Sequence, residues 1–151
     1  MSAGEYEAWQ LSLAEGYAIE RVAAGTWAEE GSVQKALDES ASMLPDGVDT
    51  DRMLIFRAVA DDGRPVGRAW VALDHPRGAP GTAFLYDIEV DEGERGKGYG
   101  RALLAAVEEA VRATGALALE LNVFGTNDTA VGLYETSGYR TTTQQMRKEW
   151  G

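Results

Sequence analysis

Residues 88–101 read IEVDEGERGKGYGR, and this stretch predicts a strand that runs into a glycine-rich turn and then into a helix. Glycines at 96, 98 and 100 remove every second side chain, so a ligand can approach the main chain closely. Apolar residues recur at helical spacing over 101–114, which puts the glycines at a helix N-terminus, where an anion is favoured. The stretch also carries three cations, Arg95, Lys97 and Arg101. It therefore predicts a phosphate-binding loop.

The spacing of the glycines distinguishes between known phosphate loops. The dinucleotide fingerprint G-x-G-x-x-G does not fit, and the P-loop needs Ser or Thr after its lysine, where this chain has Gly98. The pattern R-x-x-G-x-G does fit, with Arg95, Gly98 and Gly100. It resembles the pyrophosphate-binding motif of the GNAT superfamily of N-acetyltransferases, which use acetyl-coenzyme A (acetyl-CoA). Taken alone, the loop is also compatible with an ordinary glycine-rich turn before a helix.

A second motif lies downstream, where residues 119–139 read LELNVFGTNDTAVGLYETSGY. It resembles the second GNAT signature, L-x-V-x-x-x-N-x-x-A-x-x-L-Y-E-x-x-G-F. The matching positions are Asn127, Ala130, Leu133, Tyr134, Glu135 and Gly138, and Tyr139 replaces the usual phenylalanine. Because the two motifs stand in the right order and are separated by a helix of the right length, the sequence is identified as a member of this superfamily.

The resemblance implies a site for acetyl-CoA. In the family, the strand before the loop and the strand after the helix splay apart, and the pantetheine arm bonds to the first strand, here around Ile88, Glu89 and Val90. The pyrophosphate binds the loop amides, here those of Arg95, Gly96, Lys97, Gly98, Tyr99, Gly100 and Arg101. Asn127 is expected to contact the cofactor arm. Tyr134 is expected near the thioester sulfur, as cofactor ligand and general acid.

The sequence leaves open which residues act as the general base and which line the acceptor pocket. Acetyl transfer to an amine needs the amine to lose a proton, and the candidate bases are Asp87 and Glu89, two carboxylates on one face of the cofactor strand. Four further residues are expected to line the acceptor pocket: Tyr17, Trp27, Glu120 and Asn122. Each carboxylate is equally compatible with a solvated or structural role, and Tyr134 is compatible with simple packing. No metal site is expected.

The pattern also assigns residues to faces. Simple alternation in the cofactor strand puts Phe84, Tyr86, Ile88 and Val90 on one face, and Leu85, Asp87 and Glu89 on the other. The following strand is expected to share Leu117, Leu119, Leu121 and Val123 on one face. His75 lies in a loop rich in proline and glycine, where a surface position is expected.

The chain in order predicts one α+β domain over residues 1–151. Helices are predicted at 6–24, 33–43, 101–114 and from 126 or 127 to 138, and strands at 53–60, 66–73, 82–90 and 117–123, with one or two more at 139–150. This order predicts the GNAT acyl-CoA N-acyltransferase fold, a mixed and mostly antiparallel sheet with a central βαβ crossover and helices on both faces. Residues 1–7 have little strand character, so the strand that usually opens this fold is expected to be very short or missing.

The composition of the chain limits which kinds of binding partner are expected. The chain has 14 Lys+Arg against 25 Asp+Glu, a formal net charge of −11, which disfavours nucleic acids and anionic membranes. With no cysteine there can be no disulfide, thiolate metal site or cysteine nucleophile. The N-terminus lacks signal-peptide features and no apolar run is long enough to span a membrane, so a cytoplasmic location is expected. Dimerisation is common in the family, so a homodimer is an open expectation.

These observations predict an acetyl-CoA-dependent N-acetyltransferase that moves the acetyl group directly to a primary amine. The alternative is a GNAT-fold module that binds an acyl-CoA without catalysis, and a third reading is an enzyme for a longer acyl-CoA. The sequence does not identify the acceptor, because one fold serves many substrates.

Overall fold

A computed structural model describes residues 2–151 and shows one mixed four-stranded sheet with helices on both faces. In chain order the main elements are α1 (Ala3–Ala23), α2 (Ser32–Met43), β1 (Met53–Val59), β2 (Pro65–Ala72), β3 (Thr82–Val90), α3 (Tyr99–Ala113), β4 (Ala118–Leu121) and α4 (Asp128–Thr136). The strand order is β1-β2-β3-β4, antiparallel except for β3 and β4, which are parallel and joined through α3. The α+β class with its βαβ crossover is therefore confirmed.

The start of α1 explains why no strand precedes it among the described residues. The Ser2 hydroxyl accepts a hydrogen bond from the Glu5 N–H at 3.2 Å, and the Glu5 carboxylate accepts one from the Ser2 N–H at 2.7 Å. This reciprocal capping box satisfies two N–H groups that a helix start otherwise leaves open. It fixes the helix start at Ala3, three residues before the predicted one.

The two faces of the sheet bury separate cores. On one face, α3 packs on small and branched residues of the central strands, with Leu104 and Val107 almost fully buried against Val71 and Ala83. On the other face, Trp9 of α1 packs edge-on against Trp70 of β2 at 6.0 Å between ring centroids. Because the two tightly packed faces fix the position of β3 from both sides, the end of that strand is a rigid base for a site.

A β-bulge corrects the predicted faces of β3. Trp70 pairs with Asp87 and the next residue of β2 pairs with Leu85, so Tyr86 has no partner in the ladder. One extra residue in a strand reverses the alternation beyond it. Ile88 consequently joins Leu85 in the core on the α3 side. Phe84 and Tyr86 lie instead on the α1 side, with Asp87 and Glu89.

The last strand is shorter than predicted. β4 ends at Leu121, and only Leu119 and Leu121 of the predicted apolar face pack against the core. Leu117 is 89% exposed and Val123 is 38% exposed, so the predicted four-residue face is wrong at both ends. The pairing of β3 with β4 stops at Leu85 and Leu121, whereas β3 continues to Val90.

The predicted strand or strands at 139–150 are wrong. Residues 139–151 adopt no regular secondary structure, and within residues 2–151 they form no ladder with any of the four strands. Tyr139 still packs on the body, where its hydroxyl donates to Glu108 at 2.8 Å. Residues 140–151, here named the C-terminal arm, are exposed throughout.

One glycine marks a close approach of two strands. Gly67 of β2 pairs with Val90 of β3, and a Cβ atom at Gly67 would lie 2.5 Å from the carbonyl oxygen of Glu89. Real side chains do not tolerate that separation, so only glycine lets β3 keep its course here.

None of the helices in residues 2–151 combines the length and the apolar character that a membrane span requires.

Candidate active site

The loop before α3 has the geometry of an anion cradle. Gly96 and Gly98 have φ angles of 78° and 87°, in the left-handed region that favours glycine. Gly98 is the N-cap of α3 and contributes no side-chain cap, and the first helical bond of that turn runs from the Ala102 N–H to the Gly98 carbonyl. The N–H groups of residues 99–101 therefore precede the helical ladder. A Cβ built on Gly96 or Gly98 meets no atom within 4 Å, so the space in front of the loop is open.

The three predicted cations of this loop have different partners. Arg95 donates to the Val90 carbonyl at 3.0 Å and to the Glu89 carboxylate at 3.0 Å, which ties the loop to the end of β3. Arg101 donates to the hydroxyls of Thr136 and Ser137 at the end of α4. Lys97 contacts Glu94 at 3.1 Å and remains 53% exposed. Lys97 is thus held by fewer partners than Arg95 or Arg101.

An opening between β3 and β4 leads away from the loop. Ile88 and Val90 pair with β2 on one side, but the pairing with β4 ended at Leu85. The backbone of residues 86–90 therefore presents an edge without ladder partners, which includes all three predicted strand ligands, Ile88, Glu89 and Val90. Such an edge can exchange hydrogen bonds with the amides of an extended ligand.

Two predicted residues lie on α4, across this opening. Asn127 is the N-cap of the helix, and its side-chain oxygen accepts from the Ala130 N–H at 3.2 Å. Tyr134 is 9% exposed and packs edge-on against Tyr139. Burial, reinforced by the charges of Asp87 and Glu20, raises the pKa of Tyr134 to about 12. The phenol is therefore protonated throughout the neutral range and is available as a proton donor.

The two predicted bases share one arginine. Arg68 of β2 donates to Asp87 at 2.9 Å and to Glu89 at 2.6 Å, and its third contact is the Ser12 hydroxyl of α1 at 2.8 Å. Burial raises the pKa of Asp87, although Arg68 opposes this effect. Glu89 has a second cation, Arg95. Glu89 is therefore held between two guanidinium groups, whereas Asp87 has only one.

Sequence reasoning missed Arg68. The available signal was a lone arginine between Gly67 and Ala69, in a strand that otherwise presents mostly apolar residues to both faces. A charged side chain is rarely found in such a position unless it is paired. An ion pair with the acids of the neighbouring strand could have been inferred if the bulge at Tyr86 had been known.

A further carboxylate, Glu20 of α1, belongs to the same cluster. Burial raises its pKa, and so do the charges of Asp87 and Glu89. Because the charge of Glu20 in turn raises the pKa of Tyr134, the acids and the phenol share one electrostatic environment.

Tyr17 and Trp27 lie beside this cluster rather than within it. The Tyr17 hydroxyl accepts two hydrogen bonds from Arg21, at 2.6 and 2.9 Å, and its ring packs edge-on against Trp27. Trp27 also has the Lys35 ammonium over its ring at 4.5 Å. The charge of Tyr17 adds to burial in raising the pKa of Tyr86. Tyr17 is therefore near the site, while Trp27 packs between α1 and α2.

Glu120 is engaged by a histidine that was expected at the surface. His75 is 8% exposed, so that expectation is wrong, and its ring packs edge-on against Phe84. Its Nδ1 accepts from the Arg77 N–H at 3.0 Å, so the ring proton of the neutral tautomer is on Nε2 and is donated to Glu120 at 3.0 Å. Asn122 follows β4 and is exposed.

The geometry joins three chemical functions at the end of β3. An uncapped helix start can hold a phosphate, and an open strand edge can hold an extended amide-bearing arm. A protonated phenol shares the electrostatic environment of Asp87 and Glu20, whose pKa values are raised by burial. Metal-ligand geometry is not part of this arrangement, since no group of three potential ligands is found in residues 2–151.

Comparison with known proteins agrees with this geometry. Residues 16–139 match the profile of the Acetyltransferase (GNAT) family. The uncharacterized N-acetyltransferase YdgE of Bacillus subtilis is 33% identical over 151 residues, which cover 99% of this chain and 94% of that protein. The crystal structure of YycN, also from B. subtilis, superposes with a TM-score of 0.90 at 33% identity and covers 99% and 95% of the two chains.

A more distant structure shares the fold alone. AAC(6')-Iy, solved in complex with a bisubstrate analogue, CoA-S-monomethyl-acetylneamine, superposes with a TM-score of 0.58 at 21% identity over 78% of this chain and 80% of that one. Since the family profile spans most of the chain and the B. subtilis relatives align over nearly its full length, the chain belongs to the GNAT acetyltransferase family and is an N-acetyltransferase.

Proposed function

We propose that this N-acetyltransferase takes its acetyl group from acetyl-CoA and transfers it directly to a primary amine. The observation that carries the proposal is that the β3–β4 ladder ends at Leu85 while β3 continues to Val90, in front of a helix whose N-terminus is left uncapped at Gly98. These two features lie on one continuous segment. They suit a ligand with a diphosphate at one end and an extended amide arm at the other.

In this proposal each part of the ligand has its own protein partners. The N–H groups of residues 96–101 hold the pyrophosphate, helped by the α3 dipole and by Lys97. Arg95 acts on the protein side, because it fixes the loop to the Val90 carbonyl. The open edge at Ile88–Val90 holds the pantetheine arm, and Asn127, whose side-chain oxygen caps α4, retains its NH₂ group for the same arm.

The chemical roles follow from the protonation states. Bound acetyl-CoA would supply an activated acetyl group as a thioester. Tyr134 holds its proton on the phenolic oxygen, with a pKa of about 12, and donates it to the departing sulfur. Direct transfer needs no protein nucleophile, which is consistent with a chain that has no cysteine.

The base is proposed to be one of the site carboxylates, which accepts the proton of an ammonium acceptor. Asp87 is better suited than Glu89, because its pKa is raised and only one guanidinium group holds it. Glu20 shares the raised pKa. Glu89 forms ion pairs with both Arg68 and Arg95, so it is better suited to position these two side chains than to act as the base. Glu120 and Asn122, with Tyr17 and Trp27 further out, are proposed to border the acceptor.

The partners are then acetyl-CoA and an amine-bearing substrate. Membership of the GNAT acetyltransferase family supports the donor class, and a protein of the same fold has been crystallised with a CoA bisubstrate analogue. Nucleic acids and membranes are not expected as partners of a chain with a net charge of −11. The cytoplasmic location stays a prediction.

Titration calorimetry with acetyl-CoA tests the donor. We expect one site per chain with micromolar affinity, and no heat of binding up to millimolar acetyl-CoA would refute the proposal. Free thiol release in the presence of a panel of primary amines then tests the transfer. Binding without thiol release for any amine would favour the non-catalytic module. Tighter competition by succinyl-CoA than by acetyl-CoA would point to a longer acyl donor.

A further inference from the structure

One arginine on the acceptor side of the site has no acidic partner. Arg21, in the last turn of α1, donates to the Tyr17 hydroxyl from Nε at 2.9 Å and from Nη2 at 2.6 Å. Its side chain is partly buried, and none of the ion pairs found in residues 2–151 includes it. Because a guanidinium group has five N–H donors and the phenol accepts two of them, three remain available.

Two tyrosine hydroxyls add further donors beside this guanidinium group. The Tyr17 hydroxyl accepts both bonds from Arg21, and its own proton meets no acceptor in residues 2–151. The Tyr86 hydroxyl forms no hydrogen bond within the same residues, and it is not enclosed by protein atoms. Burial and the charge of Tyr17 raise the pKa of Tyr86, so the two phenols lie within electrostatic range. These three residues, here named the donor cluster, offer protons and lack an acceptor, which suits an anion.

The donor cluster extends from α1 to both sides of the opening between β3 and β4. The guanidinium carbon of Arg21 lies 5.9 Å from the centroid of the Phe124 ring, in the segment that follows β4. Tyr86 is the bulged residue of β3, and its ring stacks on Trp70 at 4.7 Å between ring centroids. It directly precedes Asp87 in the chain. The available donors therefore stand next to the site carboxylates.

Those carboxylates provide the opposite charge. Glu20 precedes Arg21 on α1, and its side chain takes part in none of the ion pairs found in residues 2–151. Asp87 and Glu89, in contrast, are both paired with Arg68. An ammonium group would supply the cation that Glu20 lacks. A carboxylate on the same molecule would supply the acceptor that Arg21 lacks.

We propose that the acceptor is a free α-amino acid, whose carboxylate binds the donor cluster and whose amino group faces Glu20 and Asp87. The inference rests on the proposed acetyl transfer and names its substrate class. A free amino acid carries both charges on one carbon atom. A simple amine or a protein N-terminus brings only the ammonium group, so it would leave the donors of Arg21 without an acceptor, which lowers its affinity.

The transfer then balances with the groups already described. The nitrogen of the amino acid bonds to the acetyl carbon, and the carbon–sulfur bond of the thioester breaks. The ammonium group loses two protons in all. One leaves to solvent through a site carboxylate, and the other replaces the proton that Tyr134 gives to the sulfur. The products are an N-acetyl amino acid and coenzyme A with a free thiol.

A matched series of acceptors tests the role of the carboxylate. The common amino acids are screened for thiol release from acetyl-CoA, and the best of them is compared with its amide and with the amine that lacks the carboxyl group. We expect kcat/KM for the amino acid to exceed that of both analogues about 100-fold, as expected for hydrogen bonds to a charged group. Equal or higher values for the analogues, or reaction of amines alone, would refute an amino acid acceptor and leave transfer to an amine intact.

A substitution at Arg21 tests the donor cluster. Arg21→Met keeps an unbranched side chain against Tyr17 and Phe124 and removes the charge, so the ratio of kcat/KM between the amino acid and its amine should fall from about 100 to about one. Arg77→Met is the matched control, since it changes the net charge equally on an exposed residue of the loop before β3. A preference that survives in Arg21→Met, or that is lost in Arg77→Met, would contradict the proposal.

Calorimetry without turnover separates this inference from the proposed function. The same amino acids are titrated into the protein with coenzyme A in place of acetyl-CoA, so that no acetyl group can move. At least one should bind saturably, and Arg21→Met should weaken its binding at least about tenfold. Such binding without thiol release from acetyl-CoA would support the carboxylate site while the proposed enzyme function fails. No amino acid binding at millimolar concentration would show that the carboxylate site does not exist.

Discussion

Two helix starts in this protein have nearly the same backbone and opposite charges on the residues directly before their N-caps. Gly98 before α3 and Gly31 before α2 are both left-handed N-caps, with φ angles of 87° and 74°, and neither helix has a side-chain cap. A Cβ on either glycine meets nothing within 4 Å. Yet α3 is preceded by Arg95 and Lys97, whereas Glu29 and Glu30 precede α2.

The difference shows what makes a helix start a binding site. Free N–H groups and a dipole are present at both positions, and they are not sufficient. Two acids repel a phosphate at α2, while at α3 the cations attract it and the open edge of β3 continues the binding surface beyond the loop. The α1 and α4 starts are closed by their own side chains, through Ser2 and Asn127. We therefore expect a single cofactor site in the described chain, at α3.

The largest expected effect comes from adding the same side chain to both glycines. Gly98→Glu should weaken acetyl-CoA binding at least 100-fold, because it places a carboxylate in the space meant for the pyrophosphate. Gly31→Glu introduces the same left-handed strain, about 1 kcal/mol, and the same charge. It should change affinity less than twofold.

Calorimetry on both variants gives the affinities, and thermal unfolding checks that their stabilities fall by similar amounts. Equal loss of binding in the two variants would mean that net charge, and not the α3 loop, controls affinity. The difference between the two helix starts would then not explain where acetyl-CoA binds.

The next effect separates binding at α3 from chemistry at α4. Tyr134→Phe should lower kcat about 100-fold, in the range of general acid catalysis, and leave the Kd for acetyl-CoA within about twofold. Tyr139→Phe is the matched control, since its ring packs against Tyr134 but its hydroxyl bonds to Glu108. It should alter stability rather than turnover. Unchanged kcat in Tyr134→Phe would remove this residue from the acid role.

A smaller effect tests the contribution of charge at each helix start. Lys97→Gln should weaken acetyl-CoA binding about fivefold at low salt, equivalent to about 1 kcal/mol for an exposed ion contact. Lys35→Gln removes a lysine from the first turns of α2 and should have no effect. Raising the salt concentration from 20 mM to 300 mM should reduce the difference in acetyl-CoA affinity between wild type and Lys97→Gln, because salt screens exposed charges. A gap that is independent of salt would contradict a phosphate contact.

The smallest expected effect concerns the ionisation of Tyr134, which should contribute no tyrosinate absorbance below about pH 11. Because the pKa of Tyr134 is raised from 10.0 to about 12, its folded state holds the proton more tightly than the unfolded chain. By linkage, its contribution to stability is complete below pH 10 and is lost as the pH rises through the folded pKa. Absorbance at 295 nm for wild type and Tyr134→Phe should therefore superimpose up to about pH 11. An excess of one tyrosinate in wild type near pH 10 would show that the phenol is not buried as described.

The parts of the site that follow from local sequence were predictable. The strand, the glycine loop and the helix at 82–113 are adjacent in sequence, and their glycines, cations and apolar spacing determine them without distant partners. The same holds for Asn127 as the asparagine of the second motif, although its capping of α4 appears only in the structure.

The parts that depend on tertiary pairing were not predictable. The bulge at Tyr86 is a property of β2 and β3 together, so the alternation of β3 alone assigned Phe84 and Tyr86 to the wrong face. Arg68 gains its role only when β2 brings it opposite Asp87 and Glu89. His75 is buried because Phe84 and Glu120 meet it from two other strands. Strand propensity at 139–150 carries no information about a pairing partner, and in residues 2–151 the segment pairs with no strand.

Gly67 of β2 would, in the proposed site, set the position of the strand edge that is offered to the cofactor arm. The Glu89 carbonyl occupies the place where a methyl group at Gly67 would stand, so even alanine must displace the end of β3. Ile88 and Val90 would move with it, which would change the width between the diverging strands. In the proposed site, selection for longer or shorter acyl chains would therefore also act at Gly67, on the strand next to β3.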